Sequence, residues 1–117
     1  MARKDELGRA GEALAARYLE RAGLIIVDRN WRCAAGEIDL VAIDGAELAF
    51  VEVKTRSSLA FGHPFEAITA LKYARLRRLA AAWCEAHPGS YLIRIDAVAV
   101  IAPFGAAPSI EHLKRVS

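Results

Sequence analysis

Apolar positions recur at helical spacing at the start of the chain and with strand-like density in its middle. Leu7, Gly11, Leu14, Tyr18 and Ala22 are three or four residues apart, so they share one face of a 3.6-residue repeat. They predict a first helix over Asp5 to Ala22, with Gly23 as its stop. Leu24 to Asp28 is short, apolar and β-branched and reads as a strand with an extension toward Trp31. A loop is expected at Cys33-Ala34-Ala35-Gly36. Glu37 to Ile43 and Leu48 to Lys54 flank Asp44-Gly45, a hairpin signal. Thr55 to Pro64 reads as a loop. Phe65 to Ala86 is predicted as the longest helix, with Ile68, Leu71, Leu76, Leu79 and Trp83 as its apolar stripe and His87-Pro88-Gly89 as its end. Tyr91 to Ile101 is a further strand, and Ile110 to Val116 a short edge strand.

The order α-β-β-β-α-β, with one more β, describes an α/β protein with helices packed on a sheet. The long helix before the Tyr91 strand is a crossover, which predicts that this strand runs parallel to a neighbour. The 117 residues and 12.7 kDa are expected to form one domain, large enough to bury a core without a disulfide or zinc staple. The chain is 55% hydrophobic and 26% charged, with a net charge of +2 and pI near 8.7, a mildly basic balance compatible with a nucleic-acid partner. No apolar run approaches a membrane span. Met1 to Glu6 lacks the apolar segment of a secretory signal, and Cys33 and Cys84 form no Cys-x-x-Cys pair. Together these predict a reduced, cytoplasmic protein.

The chemistry concentrates in Gly36-Glu37-Ile38-Asp39-Leu40 and Phe50-Val51-Glu52-Val53-Lys54. Strand side chains alternate, so Glu52 and Lys54 share a face, and Asp39 is expected to share one with Glu37, Val41 and Ile43. If Asp44-Gly45 is a two-residue loop, Asp39 faces Phe50 and Glu52 is its diagonal neighbour, ~7–8 Å away between backbones. If the loop is Asp44 to Glu47, Asp39 faces Glu52. Either register puts Asp39, Glu52 and Lys54 on one face; a bulge would break it. Half-buried carboxylates repel, and a bound divalent cation removes that cost. Mg²⁺ and Mn²⁺ take oxygen ligands, often one or two carboxylates. Lys54 could then hold or deprotonate the attacking water, or neutralise a phosphate. The rival reading of Glu52 and Lys54 is a surface ion pair worth about 0–1 kcal/mol.

Gly36-Glu37-Ile38-Asp39-Leu40 followed by Phe50-Val51-Glu52-Val53-Lys54-Thr55-Arg56 resembles the signature of the YraN family, small bacterial proteins related to archaeal Holliday junction resolvases in the PD-(D/E)xK nuclease superfamily. The likeness extends to Gly11-Glu12, to Phe61-Gly62-His63-Pro64 through Ala67-Ile68-Thr69 and Lys72, and to Arg94-Ile95-Asp96. It implies a restriction-endonuclease-like αβββαβ core, a mixed sheet with flanking helices. It maps the catalytic and metal-holding residues onto Asp39 and Glu52, the catalytic lysine onto Lys54, and a further metal-site carboxylate onto Glu12. Ile38 stands where the superfamily's name has proline. Resolvase relatives act as dimers, so a homodimer is an expectation by analogy.

Other residues follow from position. Glu37 is either an acid behind the metal site or simply exposed. Lys72 falls within the helix's apolar stripe, where it must snorkel to water or meet an anion, either a DNA phosphate or the site carboxylates. Thr55, Arg56 and Arg75 are candidate backbone contacts; Lys72, Arg75, Arg77 and Arg78 make a basic helix whose charges point in several directions. His63, before Pro64, and His87, at the helix end, read as structural, and both cysteines as packing residues. The expected activity is Mg²⁺- or Mn²⁺-dependent hydrolysis of DNA phosphodiester bonds, with branched or junction DNA among the candidate substrates. Its rivals are a non-catalytic nucleic-acid-binding module of a larger complex and a protein-interaction domain.

Overall fold

The computed structural model describes residues 2–60 and 62–116, with side chains from Glu6 onward. Phe61, which opens the middle stretch of the resemblance, lies outside the described residues, as do Met1 and Ser117. The elements are α1 (Ala2–Arg21), β1 (Ile25–Cys33), β2 (Gly36–Asp44), β3 (Glu47–Arg56), a 3-10 turn (Pro64–Ala67), α2 (Ala70–Ala86), β4 (Leu92–Ile101) and β5 (Ser109–Leu113). The strands lie side by side in chain order. β3 and β4 are parallel, as the crossover requires, and the other pairs are antiparallel.

The helices cover opposite faces. Ala15, Ala16 and Leu19 of α1 pack on Leu40, Ala42, Ala49, Val51, Val98 and Val100. Leu76, Leu79, Ala80 and Trp83 of α2 pack on Val41, Leu48, Phe50 and Ile95. The central strand β3 feeds both cores by alternation, which is why its sequence is almost continuously apolar. Phe50, fully buried with its ring edge-on to Trp83 at 5.6 Å, contributes ~1.5–3 kcal/mol of burial. Glu52 and Lys54 continue the Phe50 face beyond the end of that core.

Three sequence expectations are corrected. The Phe65–Ala86 helix is broken at Ile68-Thr69. His63 caps a 3-10 turn, its Nδ1 accepting from the Phe65 N–H at 3.1 Å, and the Thr69 hydroxyl starts α2 anew by accepting from the Lys72 N–H at 3.2 Å. α2 therefore has 17 residues and α1, with 20, is the longest helix. Starting at Ala70 leaves Leu71 off the buried face and exposed, while Ile68 lies outside the helix. The expected loop at Cys33–Gly36 is a two-residue turn, since Cys33 pairs with Gly36. The hairpin loop is Gly45-Ala46, with Asp44 paired to Glu47 and Gly45 at φ 62°. This realises the register that sets Asp39 opposite Glu52.

At the hairpin end, a buried ionic network ties the C-terminal segment to the sheet. The Arg94 guanidinium contacts Asp96 at 3.1 Å, Glu47 at 3.0 Å and Asp44 at 2.8 Å. Fully buried Asp96 also takes His112 Nε2 at 2.8 Å and the Arg115 N–H at 3.1 Å. The Arg115 guanidinium pairs with Glu47. Burial alone would raise the Asp96 pKa, but the bonds from His112, Arg94 and the Arg115 backbone hold it below the usual range.

Candidate active site

The pairing of β2 with β3 runs from Asp44–Glu47 to Leu40–Val51, and Asp39 stands just beyond its last pair. The Asp39 side chain continues the contact where the backbone ladder stops: Oδ2 accepts from the Val53 N–H at 2.8 Å. Val53 is the residue between Glu52 and Lys54, so this bond anchors the Asp39 carboxylate against the Glu-x-Lys segment. Glu52 is buried, and one of its oxygens, Oε2, receives both Lys54 Nζ at 3.1 Å and Lys72 Nζ at 3.2 Å. Of the two anions weighed for Lys72, the carboxylate is the one it meets in this fold.

Asp39 departs from simple alternation. Ile38 and Val41, three residues apart, both join the α2-side core, while Leu40 joins the α1 side. The expectation that Asp39 shares one regular face with Glu37, Val41 and Ile43 fails for that reason. Asp39 still lies beside Glu52 and Lys54, because it bonds the N–H of Val53 between them and its charge acts on Lys54.

The electrostatics are those of crowded acids. Burial and then the charge of Glu52 push Asp39 up to about 7; Glu12 and Glu37 add to the rise, and the Val53 N–H opposes it. Burial is the largest influence on both lysines and disfavours their ammonium forms. For Lys72, burial and neighbouring Lys54 outweigh Glu52, and the pKa is lowered. For Lys54, the charge and hydrogen bond of Glu52, with the charge of Asp39, outweigh burial, and the pKa is raised.

Glu12 is set beside this cluster by a close helix–strand contact. A Cβ at Gly11 would lie 1.9 Å from Thr55 Oγ1, so only glycine lets α1 approach the end of β3 here. Thr55 is thus a packing partner of α1. Glu12 Oε1 accepts from Asn30 Nδ2 at 2.9 Å, and Glu37 Oε2 pairs with Arg32 Nε at 3.1 Å. Arg9, Glu12, Asn30, Arg32 and Glu37 line a cleft of about 460 Å³. Among the described residues no group of three or more His, Cys, Asp or Glu is gathered tightly enough to form a ligand set. Asp39 and Glu52 form the inner pair, and Glu12 and Glu37 act on it through their field.

The remaining candidates are more distant. Arg56 Nη1 bonds the Thr55 carbonyl at 3.0 Å, and its own carbonyl takes the Ala102 N–H. Arg75, Arg77 and Arg78 are exposed on α2. His63 is structural as expected and also contacts Glu111 at 2.9 Å. His87 stacks on Trp83, and Cys33 and Cys84 pack against the α2-side core. Asn30 was not singled out by the sequence. Its one signal is an asparagine inside a strand, where that residue is disfavoured.

This fold and cluster define a small α/β protein with two acids and two lysines gathered where the central strand leaves the core. The chain belongs to a family described as uncharacterised protein family UPF0102, whose model matches residues 11–100. It is 57% identical over 117 residues to a UPF0102 protein of Arthrobacter sp. (strain FB24) and 58% identical over 117 residues to one of Beutenbergia cavernae, covering 99% of both chains in each case. A UPF0102 protein of Renibacterium salmoninarum is 59% identical over 115 residues, covering 97% of this chain and 98% of that one. Among the described residues no helix is long and apolar enough to cross a membrane.

Proposed function

We propose that this protein is a metal-dependent endonuclease of the PD-(D/E)xK kind, hydrolysing a DNA phosphodiester, with branched or junction DNA as the first substrate class to test. The observation that carries the reading is the Asp39 bond to the N–H of Val53, between Glu52 and Lys54. It gathers two carboxylates and a lysine at the open end of a rigid strand.

The donor chemistry fits Mg²⁺ or Mn²⁺. Asp39 and Glu52 are hard oxygen donors, the usual complement of one or two carboxylates for such an ion, and burial together with the charge of Glu52 disfavours the ionised Asp39 that a cation would favour. Asp39 and Glu52 would hold the ion, with the charge of Glu12 acting on Asp39. When bound, it supplies Lewis acidity toward a phosphoryl oxygen. The protein's own residues do the rest. Lys54, its pKa raised, stays protonated at neutral pH and would donate to the charge developing on the phosphoryl oxygens. Lys72 shares the same Glu52 oxygen and swings to a phosphate oxygen when backbone arrives. Arg56, Arg75 and the α2 arginines contact DNA by charge, reading phosphate geometry over base edges.

The test is cleavage of labelled single-stranded, duplex, flapped and four-way-junction DNA in Mn²⁺ and Mg²⁺, beside identically purified Glu52→Gln and Lys54→Ala. Cutting by wild type alone, abolished by chelator, is expected. Equal cutting by all three proteins would mark a contaminant and remove the reading. Junction binding without cutting would favour the non-catalytic module.

A further inference from the structure

In the β1–β2 register Arg29 pairs with Leu40 and Trp31 with Ile38, so Asn30 occupies the position opposite Asp39. Asn30 has φ 50°; among the described residues only Arg115 is another non-glycine with positive φ. That conformation inside a strand is strained for any residue with a Cβ, though asparagine tolerates it best. Its effect is visible on both strands. Arg29 and Asn30 are consecutive exposed residues, after which Trp31 and Cys33 turn to the α2-side core. The strand register is unbroken here, its shift lying between Ile26 and Asp28, yet on β2 Ile38 and Val41 likewise come to one side. Asp39 sits at the centre of this change of facing, and its carboxylate reaches the Val53 N–H of the next strand.

Glycine would take this backbone conformation without strain. What asparagine adds is the carboxamide, and that group donates to Glu12 Oε1 at 2.9 Å across the cleft. We propose that Asn30 is a positioning residue of the carboxylate site: its backbone kinks β1 opposite Asp39, and its side chain fixes the Glu12 carboxylate on the cleft wall, from where its charge acts on Asp39. Strained backbone clusters at working sites because the surroundings over-determine it. Outer hydrogen-bond partners of ligating groups commonly change metal affinity by ~10-fold or more. The inference rests on the metal-dependent reading above.

The experiment measures Mn²⁺ binding to the full chain without DNA, by isothermal titration calorimetry, together with thermal melts. The proteins are wild type, Asn30→Gly, Asn30→Ala, Glu12→Gln and the Asn30→Gly/Glu12→Gln double variant. Asn30→Gly keeps the kink and loses the carboxamide. It is expected to melt at or above wild type while binding Mn²⁺ ~10-fold more weakly. Asn30→Ala melts lower than Asn30→Gly, because alanine resists the left-handed backbone. The double variant binds no more weakly than Glu12→Gln, since Asn30 acts through Glu12. Wild-type affinity in Asn30→Gly beside a weakened Glu12→Gln overturns the role of Asn30 and leaves the metal reading standing. Independent, additive losses overturn it as well. No Mn²⁺ binding by wild type removes the metal reading and this inference with it.

Discussion

Asp39 and Asp96 are both aspartates beside β3, yet one is pushed up to about 7 and the other is held below the ordinary carboxylate range. Burial raises both. The difference lies in the partners. Asp96 faces a guanidinium, an imidazole and a backbone N–H at the hairpin end of the sheet. Asp39 faces other acids and has one N–H to itself. A charge surrounded by fixed donors is structural, and removing it leaves the donors stranded. A charge crowded by its own kind is held in place by the rest of the fold, and in the metal-dependent reading a cation from outside would relieve it. Local compensation therefore separates these two buried acids where residue type cannot.

The largest expected effect falls on the compensated side. Asp96→Ala removes the buried acceptor shared by Arg94, His112 and the Arg115 N–H and should destabilise the protein by ~3–5 kcal/mol, read by urea unfolding; a loss well under 1 kcal/mol would erase the contrast. The opposite sign is expected at Asp39. Its folded pKa lies above the unfolded value, so the folded state binds the extra proton between about pH 4 and pH 7, and wild type loses stability as pH rises through that window. Asp39→Asn keeps an oxygen for the Val53 N–H and should stabilise the metal-free protein by ~2 kcal/mol at pH 8, with no gain at pH 4. Asp96 works in reverse, its stabilisation present above about pH 4 and lost as acid protonates it. The two branches should appear separately in a pH series of melts. The smallest effect belongs to Lys72→Ala. It removes one of two ammoniums from Glu52 and should cost ~0.5–1 kcal/mol, while weakening DNA binding at low salt in a fluorescence-anisotropy titration.

Much of this architecture was readable in the sequence because each element announces itself by period. The β3 strand, Asp-Gly at the hairpin and the crossover are strong local signals, and they carried the even register that joins Asp39 to Glu52. The break before α2 was missed because Ile68 and Leu71 fit a helical period. Only the caps, His63 and Thr69, reveal that two short elements replace one long one. The change of facing at Asn30 and Asp39 was illegible for a different reason. Alternation is a rule for regular strands, and a left-handed residue suspends it with only an asparagine inside a strand to mark the place. Arg94-Ile95-Asp96 stood out as a motif, but its compensation depends on Asp44, Glu47, His112 and Arg115, which chain distance hides.

The parallel pairing of β3 with β4 also sets an order of assembly. β1, β2 and β3 are joined by two tight turns, so their ladders close cheaply, whereas Glu47 meets Leu92 only after the whole crossover is in place. Asp39 and Glu52 both belong to the early meander, while Lys72 arrives with the crossover. On a growing chain the acids are brought together before their second counter-ion has been synthesised, and the nascent meander carries its repulsion until α2 docks.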